Sequence, residues 1–231
     1  MKTWLTSGGI SIIRILSGRS KVFLITKGMK NILVDTGLGI EWKLLRLRLN
    51  KLTVYHIDCL ILTHSHFDHA GNAARIRKAF RTPVIIHGNE AHFLKSGTSP
   101  VPDGTVTYSK AIIKMLSGIS SSIGKYRSCR HDILVESRYE LGNFGIDAYI
   151  LHTPGHTAGS VSIVINDEIA IVGDTMFGIF PGSVFPPFAE DPRQLINSWG
   201  QLLDTGCSLF LPSHGSANTR ELVQKEYHKR R

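Results

Sequence analysis

The sequence predicts an α/β domain with two β-sheets in the middle and helices outside. Two observations carry that prediction. Short runs rich in β-branched residues come in two batches, before residue 36 and after residue 131, and helical patterns separate and follow them. The length of 231 residues fits one large domain or two small ones, and can bury a core without a metal or disulfide to hold it.

The elements follow in order. ISIIRIL (10–16), KVFLIT (21–26) and NILVD (31–35) read as successive antiparallel strands, separated by Ser, Gly and Lys. VDTG (34–37) ends the third, and EWKLLRLRLNK (41–51) has a helical pattern. A strand, IDCLIL (57–62), runs into THSHFDHAGN (63–72), and residues 69–80 read as a helix. VIIH (84–87) is another strand. Residues 88–130 break the rhythm and read as an insertion. It is helical at its start and again where Ala111, Ile112, Met115, Leu116 and Ile119 recur at helical spacing. Strands resume at 132–136, 146–152, 160–165 and 168–173. A Pro-, Phe- and Gly-rich loop (177–189) precedes a helix at 192–204, a strand at 208–212 and a closing helix at 217–229.

Composition narrows the class. A chain 42% hydrophobic and 19% charged is ordinary for a soluble globular protein. No targeting segment and no membrane-length apolar run is read in it. The cysteines Cys59, Cys129 and Cys207 are few and odd in number, which points to a reducing cytoplasm rather than a disulfide framework. The net charge of +9 gathers in 41–51, 75–81, 228–231 and the acid-free span from Gly104 to His131. Such charge attracts nucleic acid, anionic lipid or small anions, whereas solvated helix faces explain it without any ligand.

The chemistry lies where strands end. His64 and His66 alternate as the chain leaves its strand, and Asp68 and His69 follow at the start of a helix, so four donors converge. Imidazole and carboxylate together suit zinc, with iron or manganese as alternatives. Three further ligand types stand just past strands, each beside Gly or Pro: His156 in HTPGHTAGS, Asp174 in IVGDT and His214 in LPSHGS. A lone histidine at a strand end is most often structural, but this many in consistent order is a metal site.

THSHFDH, PGHT, GDT and PSHG, preceded by VDTG, resemble the motif series of the metallo-β-lactamase superfamily over roughly residues 20–220. The resemblance implies a single domain, 1–231, folded as a four-layer αββα sandwich with the metals at one edge of the sheets. It also implies that His64, His66 and His156 hold one metal, that Asp68, His69 and His214 hold a second, and that Asp174 bridges them. Asp35 would orient the metal-binding loop by hydrogen bonding, or else simply cap a turn. Two such ions would share a hydroxide as nucleophile, with Asp68 orienting it and moving its proton.

Departures from the family pattern inform as well. Antibiotic-hydrolysing members typically carry a cysteine ligand where this chain has Asp174, and only 17 residues follow His214, too few for the glutathione-binding domain of glyoxalase II. The expectation is therefore a dinuclear hydrolase of a small ester, thioester or lactone. The alternatives are an iron-dependent sulfur dioxygenase and, third, a nucleic-acid phosphodiesterase. Phe177, Phe180, Phe185 and Phe188 are expected to wall the substrate, with core packing as the alternative for any one of them. The insertion 88–130 is expected to be a lid whose Lys110, Lys114, Lys125, Arg127 and Arg130 favour a small anionic substrate with an apolar part over nucleic acid.

Overall fold

The computed structural model describes residues 1–99, 104–105 and 124–231. Among them, the first sheet runs in chain order from edge to edge: β1 (Thr3–Leu5), β2 (Ser11–Ser17), β3 (Lys21–Lys27), β4 (Lys30–Val34), β5 (Cys59–Ile61), β6 (Val84–His87) and β7 (Ile133–Val135). The second is likewise ordered: β8 (Arg138–Glu140), β9 (Ala148–His152), β10 (Val161–Ile165), β11 (Ile169–Gly173), β12 (Leu209–Pro212) and β13 (Asn218–Thr219). The helices are α1 (Trp42–Lys51), α2 (Phe67–Ala70), α3 (Ala73–Phe80), α4 (Ala91–Ser96), α5 (Pro192–Asp204) and α6 (Arg220–Arg230). Helices α1 and α3 each connect strands that then pair in parallel, β4 with β5 and β5 with β6, because a parallel pair needs a crossover.

Alternation along the strands builds the layers. Phe23 and Ile25 of β3 face inward with Ile61, Ile150, Ile163 and Ile171, forming the core between the sheets. Val22 and Leu24 face outward and pack with Leu45 and Leu49 of α1 and Ile76 of α3. On the other side, Val164, Val172 and Phe210 meet Trp199 of α5 and Val223 of α6. Strands buried on both faces have to be apolar almost throughout, which is why runs such as VSIVI and IAIVG lack polar alternation. Each fully buried aliphatic side chain stabilises the fold by roughly 1.5–3 kcal/mol. The order of layers is helix, sheet, sheet, helix.

Two expected boundaries moved for physical reasons. The helix read at 69–80 is split into α2 and α3 at Gly71–Asn72. There the VDTG turn intrudes: Asn72 donates from its backbone to Thr36 Oγ1 (3.0 Å) and from its side chain to the carbonyls of Thr36 (3.0 Å) and Leu38 (2.7 Å). The closing helix starts at Arg220 because Asn218 and Thr219 pair with β12 as an edge strand. Within 88–130 the described residues include α4, in line with the helical start. Met115, Lys110 and Lys114, and the helix expected around them, lie outside the described residues.

Candidate metal centre

The cluster is assembled where the two sheets meet. Past β5, the Thr63 carbonyl accepts a hydrogen bond from Val161 N (2.9 Å) of the second sheet, tying the histidine loop to both layers. His64, His66, Asp68 and His69 follow, all buried, with Asp68 and His69 on α2. His156 is brought in by Gly155, which has φ +126; a Cβ there would lie 2.3 Å from Leu195 N, so glycine alone permits this approach of α5. Asp174 leaves the end of β11 and His214 the end of β12, parallel neighbours whose ends lie side by side.

The donor atoms face one another. His64 Nε2 and His156 Nε2 lie 2.9 Å and 3.2 Å from His66 Nδ1. Asp174 uses both oxygens: Oδ1 is 3.5 Å from His69 Nε2, and Oδ2 is 3.2 Å from His214 Nε2 and 3.5 Å from His156 Nε2. His214 Nε2 is also 3.8 Å from Asp68 Oδ2. Three overlapping sets result, each with its donor atoms within 4.8 Å of one another: His64, His66 and His156; His64, His69 and Asp174; Asp68, His69 and His214. All seven residues expected from the sequence come together.

The surrounding hydrogen bonds select which nitrogen points inward. Asp35, with its backbone at φ 60, accepts from Thr63 N (2.9 Å), from the Thr63 hydroxyl (2.9 Å) and from His69 Nδ1 (2.8 Å), leaving His69 Nε2 for the centre. His156 Nδ1 donates to the Phe188 carbonyl (2.9 Å), again freeing Nε2. Beneath the loop, Glu90 is 1% exposed and accepts from Ser65 N (2.9 Å) and the Ser65 hydroxyl. Neither Glu90 nor the Thr63 hydroxyl was singled out from sequence. Thr63 adjoins the motif and was findable there; Glu90, alone in its stretch, carried no signal.

Electrostatics divides the histidines. Burial, aided by the neighbouring imidazoles, pushes His64 and His66 well below the ordinary histidine pKa, so both are neutral lone-pair donors. Burial also opposes charge on His69, but Asp174, Asp35 and Asp68 outweigh it and hold its pKa well above the usual value. Burial likewise opposes charge on Asp174, yet His214 and His69 keep its carboxyl well below the carboxylate range.

This donor set fits metal. In a tetrahedral zinc site, nitrogens at about 2.0–2.1 Å from the ion stand about 3.3 Å apart, close to the His64–His66 and His156–His66 separations. His69 Nε2 and Asp174 Oδ1 are buried, face each other, and have no hydrogen-bond partner among the described residues. Without metal they face each other only as a long ion pair, and a cation that displaced the His69 proton would take the lone pairs of both.

The phenylalanines divide. Phe177 stacks on His214, ring centroids 4.6 Å apart, and Phe188 supplies its carbonyl to His156. Phe180 is 44% exposed. Phe185 packs in the outer layer against Trp199 and under the Arg230 guanidinium, contacts of a core residue rather than of a substrate wall. One cation missed in the sequence stands at the cluster: Arg19, on the β2–β3 turn, lies over Phe67 with Nε 3.4 Å from Asp68 Oδ2. Two described residues of the insertion also reach the centre's surroundings. Gly104 bridges to Phe188, and a Cβ on Gly124 would lie 3.9 Å from Phe67. By contrast, the basic runs of α1 and α3 lie on helices that cover the outer face of the first sheet, where Arg77 pairs with Asp132 at 2.7 Å. No helix among the described residues is long and apolar enough to cross a membrane.

Comparison with known proteins bears on family and fold. The family model described as "Metallo-beta-lactamase superfamily" matches residues 17–214. A probable metallo-hydrolase of Methanocaldococcus jannaschii is 33% identical over 199 residues, covering 84% of this chain and 86% of the relative. A hydroxyacylglutathione hydrolase of Shewanella pealeana is 26% identical over 145 residues, 63% of this chain but 43% of the relative. Among solved structures, an archaeal metallo-beta-lactamase superfamily protein from Sulfolobus tokodaii superposes with a TM-score of 0.66 at 18% identity. The match covers 94% of this chain and 85% of that one, a likeness of fold.

Proposed function

The chain belongs to the metallo-beta-lactamase superfamily and is a metal-dependent hydrolase, and on that premise we propose that it uses two divalent ions, zinc in the first place, to hydrolyse a small ester, thioester or lactone. The observation that carries this reading is the convergence of seven N and O donors into overlapping sets joined by both oxygens of Asp174. His64, His66 and His156 would hold one ion, and Asp68, His69 and His214 the other. Bound there, such ions would supply hydroxide near neutral pH and would neutralise charge developing on a carbonyl oxygen.

The residues of this chain do the rest. Asp35 and the Phe188 carbonyl hold His69 and His156 in the tautomers that ligate. Asp68, with Oδ2 3.8 Å from His214 Nε2, would orient the attacking water and accept its proton. Phe180 offers the apolar part of a substrate its surface, Phe177 backs the His214 ring from within, and Arg19 offers a cation for an acidic group. The lid expected of the insertion lies in good part outside the described residues; Gly104 and Gly124, which are described and lie near Phe188 and Phe67, support that role. The hydroxyacylglutathione hydrolase relative supports the thioester class, while the share of it that is matched gives no reason to extend glutathione recognition to this chain. Three buried free thiols suit a reducing compartment such as the cytoplasm.

The test is turnover of a panel of lactones, thioesters, carboxylic esters and phosphodiesters by protein of measured metal content. Turnover of carbonyl substrates is expected. Phosphodiester cleavage alone, or oxygen consumption by an iron-loaded enzyme, would overturn the reading.

A further inference from the structure

A cavity of about 130 Å³ opens between the first strands of one sheet and the turn after β12, lined by Lys2, Trp4, Arg14, Lys21 and Phe23 and by Leu211, Pro212 and residues 215–217. Its wall is unusual for where it lies. Lys21, Phe23 and Ile25 alternate onto the same face of β3, and Phe23 and Ile25 belong to the core between the sheets. Arg14 is paired with Phe23 across the β2–β3 ladder. Cations therefore occupy positions where the apolar core would otherwise continue.

No carboxylate lines this cavity, and among the described residues neither Lys2 nor Arg14 forms an ion pair. Lys21 is 8% exposed and donates to the carbonyls of Pro212 (2.8 Å) and Gly215. An ammonium has three donors, so one remains. Burial, with the positive charge of Arg14 and Lys2 and against the opposing pull of Asp174, lowers the Lys21 pKa to about 8. Lys2 lies over the Trp4 ring and Lys21 feels Asp174 at a distance, but no carboxylate reaches the cavity itself, so an anion there would relieve the mutual repulsion of the three cations.

We propose that this cavity is a second binding site, which takes a small oxyanion, a phosphate or carboxylate group, between Arg14, Lys2 and the free donor of Lys21. Its volume admits one such group and not a drug-sized molecule, for which pockets run to roughly 300 Å³ or more. The turn that holds Lys21 carries His214, so the site borders the metal cluster while using none of its donors. The oxyanion is either a free ion or the acidic end of a longer ligand.

Metal-loaded protein titrated with inorganic phosphate at constant ionic strength tests this, read by the fluorescence of Trp4, with Trp4→Phe identifying that signal. The same titration with acetate separates phosphate from carboxylate preference. Phosphate that raises KM would mark the acidic end of a substrate, and phosphate that leaves KM unchanged a free ion. Arg14→Gln leaves every donor of the metal cluster in place, so anion binding at the metals is common to both proteins. Saturable binding weakened at least 10-fold in Arg14→Gln is expected, with Lys2→Gln weakening it less. Identical curves for the native protein and Arg14→Gln, or no saturable change with either anion, would overturn the proposal. Neither result depends on the identity of the hydrolysed substrate.

Discussion

Replacing Asp35 with Asn removes one charge and almost no volume, at a residue 1% exposed whose backbone sits at φ 60. Asn tolerates that left-handed conformation, so the turn keeps its shape where most residues would strain it. The change is one of protons. If the amide oxygen keeps the bond to Thr63 N, the amide NH2 faces His69 Nδ1, now 2.8 Å from a carboxylate oxygen. His69 must then accept at Nδ1 and carry its proton on Nε2, the atom aimed at Asp174 and the centre. A hydrogen bond to a charged group contributes about 1.5–3 kcal/mol, and each 1.4 kcal/mol is tenfold in an equilibrium constant. The expected loss is thus about 10–100-fold in affinity for the ion that His69 holds, the range typical of partners behind a metal ligand. Chelator competition on Asp35→Asn, beside thermal unfolding of the metal-free protein, measures it. Unchanged affinity for both ions in a folded variant would refute the argument that Asp35 sets the His69 tautomer.

Three further outcomes are expected. Gly155→Ala places a methyl 2.3 Å from Leu195 N at φ +126, and should destabilise the protein by at least about 2 kcal/mol in urea unfolding. Cys129 and Cys207 are buried, and burial pushes both thiols from 9.0 to about 11. They should resist a thiol reagent at pH 8 until the protein is unfolded. Because the unfolded chain gives up these protons first, their contribution to stability is complete below pH 9 and is lost as pH rises toward 11, which urea titrations across that range would record. Arg19→Ala should raise KM for an ester bearing a carboxylate at least 10-fold more than for its neutral counterpart, while metal content stays constant.

Much of the sandwich was readable because strands buried on both faces must be apolar and helices covering them must be amphipathic. The strands and α5 appear within a residue or two of their expected bounds. What escaped was short or held by distant partners. Strand β1 takes its register from β2, β13 is two residues at an edge, and the break between α2 and α3 is imposed by a turn some 35 positions earlier. The seven donors were legible because each follows a strand, and strand ends in one layer gather at one rim. Arg19, Glu90 and Lys21 were not, because each acts only through where the fold puts it. Phe185 shows the converse: an aromatic in the right loop whose side chain turns away to Trp199.

Metal content per chain tests the central claim most directly. Elemental analysis of the purified protein, after exposure to zinc and removal of free ions, should give close to two ions per chain. His66→Ala and His214→Ala, each in a different donor set, should each lower it to about one. A protein that binds no metal after such reconstitution, or whose content is indifferent to both substitutions, would contradict the account.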